Sequence, residues 1–188
     1  MKITETITVQ SPVETVWELF QDVPQLAHCL PGADITEDKG DGVYAGTIAS
    51  KLGPITVAFE GEATVTSDLT SRSGDVVGKV IDRSGGSAGR VKMHYVIDGH
   101  ADGSTRIDVD AEVVLSGAAA QFGRTGLIKE MSRRLIDEFV DCVEAKLDAG
   151  SEAEAETVRA GDVKGVSLFV ASLWGSLTTW LRRLFGSG

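Results

Sequence analysis

The chain has 188 residues and a mass of 19.8 kDa, which is enough for one domain with its own core and a short appendage. A composition of 42% hydrophobic and 24% charged residues is typical of a globular protein and argues against a disordered chain. The formal charge of −10 and the pI near 4.7 exclude nucleic acid as a partner, because phosphates would repel the molecule.

Cysteine usage and the distribution of charge give two further expectations. Only Cys29 and Cys142 are present, and no basic region followed by an apolar stretch opens the chain. These features predict neither a secretory signal nor a disulfide framework, and a reducing cytoplasm is the expected compartment.

Residues 163–188 carry a charge of +3, so residues 1–162 carry −13. An acidic body is therefore predicted to end in a basic tail.

The first predicted elements are a strand and a helix. Residues 2–10 alternate β-branched and polar side chains, which is typical of a strand. Ser11 is predicted to cap the following helix, with Glu14 completing a capping box. A second, short helical turn is predicted over residues 24–30, and the Pro-Gly pair that follows would end it.

The middle of the chain consists of predicted strands separated by turns rich in Gly, Asp and Pro. Apolar and polar side chains alternate along several of these strands, so one face of the sheet is predicted to be buried and the other solvated. Short turns between consecutive strands indicate an antiparallel meander. The predicted strands span residues 33–39, 43–51, 55–67, 75–82, 90–98 and 105–115.

A long amphipathic helix is predicted over residues 117–147. Its apolar stripe runs from Ile128 to Lys146, and charged residues occupy the opposite face. No other element is available to cover the buried face of the sheet. The predicted fold class is α+β, with a strongly curved antiparallel sheet that grips one long C-terminal helix and leaves a cavity between them.

The C-terminal part is predicted to be a flexible linker followed by a second helix. Residues 148–162 are small and acidic, as in a linker. In residues 163–188 the apolar side chains recur every three or four positions, which predicts an amphipathic helix. The apolar residues lie on one side of this helix, and its tryptophans and arginines suit the boundary of an anionic bilayer. These features favour a helix that lies at a membrane surface. The predicted membrane-contacting residues are Val166, Phe169, Val170, Leu173, Trp174, Leu177, Trp180, Leu181, Leu184, Arg182 and Arg183.

Two other interpretations of this tail stay open. Its apolar stripe could pack on the protein's own body or on a partner subunit. The segment is also long enough to span a bilayer as a helix. The body is complete without the tail, which favours attachment to the membrane surface.

The sequence contains no arrangement typical of a catalytic or metal site. The glycines of residues 84–89 join two strands, so they indicate a hairpin rather than a phosphate-binding loop. His28 and Cys29 are adjacent and cannot close a metal site alone, while His94 and His100 have no further ligand at a suitable spacing. Neither a metal site nor enzymatic activity is predicted.

Five short stretches of the chain form a recognisable set of motifs. They are Ser11-Pro12-Val13-Glu14-Thr15-Val16-Trp17, Cys29-Leu30-Pro31-Gly32-Ala33, Gly42-Val43-Tyr44-Ala45-Gly46, Gly53-Pro54 with Phe59-Glu60-Gly61, and the stretch from Gly117 to Ile128. Together they resemble the motifs of the CoxG family of carbon monoxide dehydrogenase subunits, within the SRPBCC or START-like superfamily. The first motif is shared across the superfamily, and the Cys-Leu-Pro-Gly-Ala motif is more specific. The resemblance covers residues 1–147 and implies a helix-grip, START/Bet v 1-like ligand-binding domain there.

The resemblance also implies a function. It implies a non-catalytic accessory protein that recruits a molybdenum hydroxylase of the carbon monoxide dehydrogenase type to the cytoplasmic membrane and couples it to respiratory quinones. The expected ligand is therefore a quinone, menaquinone first, or another prenyl lipid, with no covalent cofactor. The expected location is peripheral, on the inner face of the cytoplasmic membrane. The residues expected to line the cavity are Leu26, Leu30, Val57, Phe59, Met93, Tyr95, Phe122, Leu127, Ile128 and Met131.

Two alternative functions are compatible with the sequence. A pure membrane-recruitment adaptor would carry no ligand, and side chains would fill its cavity. A polyketide cyclase or hydrolase, as found among helix-grip proteins, would need polar groups inside the cavity, such as Tyr44, His94 or Tyr95 paired with a carboxylate. Cavity volume and an inward-facing ionisable pair are the features that separate these alternatives from a carrier.

Overall fold

A computed structural model describes residues 1–52, 55–82, 86–117, 119–120, 127–149 and 151–160. Within these ranges, the side chains of residues 50–52, 55–57, 127–132 and 152 are not described. The elements in chain order are β1 (Lys2–Val9), α1 (Val13–Gln21), α2 (Val23–Ala27), β2 (Ala33–Asp38), β3 (Val43–Leu52), β4 (Ile55–Asp68), β5 (Ser73–Asp82), β6 (Ser87–Gly99), β7 (Thr105–Gly117), α3 (Leu127–Leu147) and α4 (Glu152–Thr157).

The strands form one antiparallel sheet in the order β1-β7-β6-β5-β4-β3-β2. Strands β2 to β7 follow one another as a meander, and β1 pairs with β7, where Ile7 lies opposite Ile107. The predicted antiparallel meander is therefore confirmed. The strand ends differ from the predicted ones by at most three residues, because alternation and turn residues are local signals.

Two glycines allow neighbouring strands of the sheet to approach closely. A Cβ atom on Gly61 would lie 1.9 Å from the carbonyl oxygen of Lys79, and one on Gly46 would lie 2.6 Å from the carbonyl oxygen of Asp34. Any side chain larger than hydrogen would push these strands apart. The observed strand pairing therefore requires glycine at both positions.

Helix α1 forms where predicted but without the predicted cap. The helix begins at Val13, Pro12 occupies the N-cap position, and no side chain caps the first turn. The capping-box prediction is wrong, because Glu14 forms an ion pair with Arg72 at 3.2 Å instead. A hydrogen bond from the sheet stabilises the junction between β1 and α1. The Thr105 hydroxyl, at the start of β7, donates to the Ser11 carbonyl oxygen at 2.7 Å.

The core lies where α1 and α3 meet the inner face of the sheet. Each large apolar side chain buried there stabilises the fold by about 1.5–3 kcal/mol. The rings of Phe20 on α1 and Tyr95 on β6 pack with centroids 5.3 Å apart. The buried cluster consists of Ile7, Val9, Val16, Phe20, Cys29, Tyr95, Ile97, Ile107, Cys142 and Val143.

Helix α3 covers the sheet as predicted but begins later than predicted. Its first residue is Leu127, whereas Gly117 belongs to the end of β7 and has a positive φ of 69°. The predicted helix start at residue 117 is therefore wrong. Residues 121–126 lie outside the described part of the chain.

The two cysteines form a disulfide, so the expectation of a chain without a disulfide framework is corrected. Cys29 follows α2 and Cys142 lies on α3, and their Cα atoms are 5.3 Å apart although 113 positions separate them in the sequence. Both residues are fully buried, with 0% exposure. Their spacing in the sequence carries no information about this contact, because only the position of α3 across the sheet brings them together.

Residues 151–160 pack on the body, so the prediction of a free linker is wrong for this segment. After α4, Val158 packs against the buried cluster. The Ala160 N–H donates to the carbonyl oxygen of His28 at 3.0 Å. The division into body, linker and tail stays a prediction, because residues 161–188, which contain the predicted membrane helix, lie outside the described residues.

Candidate functional site

A cavity of about 540 Å³ lies between the inner face of the sheet and the helices α1, α2 and α3. Small-molecule pockets usually measure about 300–1,000 Å³, so this volume is sufficient for a ligand. The walls are mostly aliphatic and aromatic side chains of the strands and helices. Among them are Ile3, Val65, Val80, Val91, Ile136 and Phe139.

The space exists because small residues occupy inward positions in the middle of the sheet. Ala63 lies opposite Tyr44 on one side and Gly78 on the other. All three line the cavity, together with Ala111 on β7. The inward phases of β4 and β7 were predicted from alternation, but the grouping of small residues across strands depends on their register.

The ten residues predicted to line the cavity fall into three groups in the structure. Leu26, Leu30, Met93 and Tyr95 line the cavity. Phe59 lies in β4 opposite Ile48 and is not among the described lining residues. The side chains of Val57, Leu127, Ile128 and Met131, and the whole of Phe122, are outside the described part of the chain. A ligand-binding role for any of the ten stays a prediction.

Two tyrosines, Tyr44 and Tyr95, are among the residues that line the cavity. Tyr95 is only 3% exposed, and burial raises the pKa of its phenol against the opposing effect of a hydrogen bond with Ser67. Burial also raises the pKa of Tyr44, and the charges of Asp38 and Asp22 raise it further. Both phenols are therefore protonated at neutral pH and can donate hydrogen bonds.

Carboxylates occupy the edge of the cavity rather than its interior. Glu5, Asp34 and Glu62 contribute to the lining, and all three residues are exposed. Glu62 is paired with Lys39, whose hydrogen bond and charge lower the pKa of this carboxyl group. The site thus combines an apolar interior with an acidic edge.

Within the described residues, the only ionisable pair that touches the cavity is that of Glu62 with Lys39 at its exposed edge. His94 is exposed and lies away from this cavity, with Nδ1 3.0 Å from an Asp75 carboxylate oxygen. The described ranges also hold no group of three or more His, Cys, Asp or Glu residues that could bind a metal ion. The convergence of polar groups that a cyclase-like mechanism requires is not found in the described part of the cavity.

A separate buried polar contact joins α2, α3 and α4. Lys146 is only 5% exposed, and its ammonium group donates to Gln25 Oε1 at 2.7 Å and to the Ala155 carbonyl at 2.5 Å. Burial lowers the pKa of Lys146, and the nearby charge of Arg159 lowers it further. A lysine on the apolar stripe was the sequence signal for this contact, and α4 supplies one of its two acceptors.

His28 is expected to make the fold sensitive to mild acid. Burial lowers its pKa below 6.5, as do the charges of Arg159 and Lys146. Its buried Nδ1 has no hydrogen-bond partner among the described residues. As the pH falls below 6.5, the unfolded state therefore takes up the proton before the folded state, and the free energy of unfolding decreases.

Denaturant unfolding at about pH 7 and about pH 5.5, on the two sides of the ordinary histidine pKa, tests this expectation. The stability lost between the two conditions should be smaller in His28→Asn than in the unmodified protein. His100→Asn, at an exposed position, should lose as much stability as the unmodified protein. Equal losses in all three proteins would contradict the assignment to His28.

The family of the chain follows from a comparison with sequence profiles. The profile that describes the CoxG subunit of carbon monoxide dehydrogenase matches residues 6–148. The chain belongs to the CoxG family. The matched range contains α1 to α3 and strands β2 to β7, so the CoxG region coincides with the folded body. A comparison with curated proteins finds no match.

Solved structures share the fold of this CoxG family member. A conserved protein from Geobacillus kaustophilus has a TM-score of 0.70 at 16% identity, covering 78% of this chain and 95% of that one. A START superfamily protein from Mycobacterium smegmatis has a TM-score of 0.57 at 11% identity, covering 78% and 97%. The Zhui aromatase/cyclase from Streptomyces sp. R1128 has a TM-score of 0.55 at 15% identity, covering 79% and 93%. These similarities confirm the predicted START-like fold.

No helix of the described residues has the combined length and apolar character needed to cross a bilayer.

Proposed function

We propose that this CoxG family protein is a non-catalytic accessory protein of a molybdenum hydroxylase of the carbon monoxide dehydrogenase type. In this proposal it carries an apolar ligand, with menaquinone as the first candidate and another prenyl lipid as the second. The observation that supports a carrier is the cavity of about 540 Å³ with an apolar interior. A pure recruitment adaptor does not need such a space.

Apolar burial would supply most of the affinity for a prenyl ligand. Each Å² of apolar surface removed from water contributes about 25 cal/mol, and a few polar groups suffice to orient a head group. The small residues Ala63, Gly78 and Ala111 leave room against the sheet, while Met93 and Phe139 provide large apolar contacts. The body would take up the ligand and present it to the partner enzyme.

In the same proposal, the tail attaches the protein to the inner face of the cytoplasmic membrane. Nine large apolar side chains on one side of a helix, with Arg182 and Arg183, suit a surface of anionic lipid. The Cys29–Cys142 disulfide is compatible with the cytoplasm because both residues are fully buried. A thiolate reductant could attack the disulfide only after the protein opens locally.

Extraction of the purified protein with organic solvent, followed by mass spectrometry, tests the carrier function. Protein expressed in cells that contain prenyl quinones should release a quinone in a near-stoichiometric amount. Ala63→Met should reduce the released amount by roughly tenfold, because its longer side chain occupies cavity space. Thr64→Met, one position along β4 and exposed on the other face, is the matched control.

Absence of any prenyl lipid in the extract of the unmodified protein would contradict the carrier proposal and favour the adaptor. Equal release from Ala63→Met and Thr64→Met would show that the ligand binds elsewhere.

A further inference from the structure

We propose that Tyr44 orients the ligand by donating a hydrogen bond from its hydroxyl group to a carbonyl oxygen of the ligand head group. The ligand class is then an apolar molecule that ends in a neutral carbonyl-bearing ring, and a plain hydrocarbon chain would lack the contact. This inference rests on the proposed carrier function and names the polar contact of the same cavity.

The two tyrosines of the cavity differ in whether the hydroxyl group already has a partner. The hydroxyl of Tyr95 interacts with Ser67. The hydroxyl of Tyr44 makes no hydrogen bond with any residue of the described ranges. It is also not among the described side-chain atoms that are fully buried without a hydrogen-bond partner. A phenol on an apolar wall gains most from a new acceptor when no protein group already satisfies it. Tyr44 is therefore the donor available to a ligand.

The residues across the sheet leave room for a ring beside Tyr44. Ala63 lies directly opposite Tyr44 in the register of β3 and β4, and Gly78 lies opposite Ala63 in the register of β4 and β5. A Cβ on Gly78 would lie 2.8 Å from Cγ1 of Val91, so the Val91 side chain covers Gly78 and the room beside Tyr44 lies over Ala63. Tyr44 and the small side chain of Ala63 are thus neighbours on the cavity wall, which puts a hydrogen-bond donor next to room for a head group.

The charges around Tyr44 select a neutral acceptor over an anionic one. Asp38 and Asp22 raise the pKa of the Tyr44 phenol, which keeps its proton in place for donation. Glu5 and Asp34 at the edge add further negative charge. A carboxylate head group, as in a fatty acid, would be repelled by these groups, whereas a quinone carbonyl carries no net charge. The cavity should therefore prefer a quinone to a fatty acid of similar size.

Titration of the full chain with three probes tests the inference. The probes are a methyl-naphthoquinone with a short prenyl chain, a prenyl hydrocarbon without oxygen, and a long-chain fatty acid. Tyr44→Phe should bind the naphthoquinone about three- to tenfold more weakly than the unmodified protein, and the hydrocarbon equally well. Thr64→Val, which removes a hydroxyl at an exposed position that does not line the cavity, should bind all three probes as the unmodified protein does.

The outcomes separate this inference from the carrier function. Unchanged naphthoquinone binding by Tyr44→Phe, or tighter binding of the fatty acid than of the naphthoquinone, would overturn the role of Tyr44 and leave the carrier function intact. Failure of the unmodified protein to bind either the naphthoquinone or the hydrocarbon would overturn the carrier function itself, and the role of Tyr44 with it.

Discussion

Reduction of the Cys29–Cys142 disulfide is expected to lower the free energy of unfolding by about 4 kcal/mol. The bond joins residues 113 positions apart, so it restricts most of the unfolded body. In the chain-entropy account, a loop of this length gives nearly the largest stabilisation that one disulfide can provide. Denaturant unfolding with and without a dithiol measures the difference, with the thiol content confirmed by mass.

The double variant Cys29→Ala/Cys142→Ala is the control for this experiment. It should be less stable than the oxidised protein and should not respond to the dithiol. Alanine is preferable to serine here because both positions are fully buried and a hydroxyl would have no assured partner. Equal stability of the oxidised and fully reduced protein would contradict the predicted contribution.

The disulfide should also affect the cavity, because it connects two of its walls. The segment before Cys29 contributes Leu26, and the segment before Cys142 contributes Ile136 and Phe139. Release of the bond would allow α2 and α3 to separate. Ligand retention during the solvent-extraction experiment should therefore fall when the protein is reduced beforehand.

Deletion of residues 163–188 is expected to abolish sedimentation with anionic liposomes and to leave the body folded. Nine large apolar side chains at the membrane boundary, each partly buried, would contribute on the order of 10 kcal/mol before ordering costs. The deletion leaves α4 and the Ala160–His28 hydrogen bond intact. The melting transition of the truncated protein should therefore lie close to that of the full chain.

Point variants separate apolar insertion from charge attraction. Trp174→Glu with Leu177→Glu should act like the deletion, because two carboxylates cannot enter the hydrocarbon boundary. Arg182→Ser with Arg183→Ser should weaken binding less, by about 1 kcal/mol for each arginine near an anionic surface, and chiefly at low salt. Liposome binding by the truncated body as tight as that of the full chain would contradict the membrane-anchor hypothesis.

A longer deletion, from residue 151 to the end, serves as the control for the body. It removes the Ala155 carbonyl and leaves the buried ammonium of Lys146 with Gln25 as its remaining described acceptor. This variant should be measurably less stable than the deletion that begins at residue 163, because a buried charge loses a hydrogen bond. An unfolded body in the shorter deletion would mean that the tail is part of the core.

The sequence by itself determined the elements whose signals are local. Alternation along β4 and β7, with turn residues between strands, predicted the antiparallel sheet and its buried face. The helical period of residues 117–147 predicted the helix that covers that face, although the observed helix spans Leu127–Leu147. The alternation of side chains along a strand likewise predicted that Met93 and Tyr95 on β6 point inward, and both residues line the cavity. Side chains repeat every two residues along a strand and every 3.6 residues along a helix. These repeats occur within short segments, so a single sequence is enough to detect them.

Tertiary structure alone decided the features that join distant segments. The disulfide, the contacts of Lys146 with Gln25 and Ala155, and the docking of residues 151–160 depend on how α3 crosses the sheet. The grouping of small residues on the cavity wall depends on register, which places Ala63 between Tyr44 and Gly78. The acidic composition of residues 148–162 predicted a linker, but composition reports only the affinity of a segment for water. The packing of residues 151–160 depends on the partners that the fold brings within contact distance.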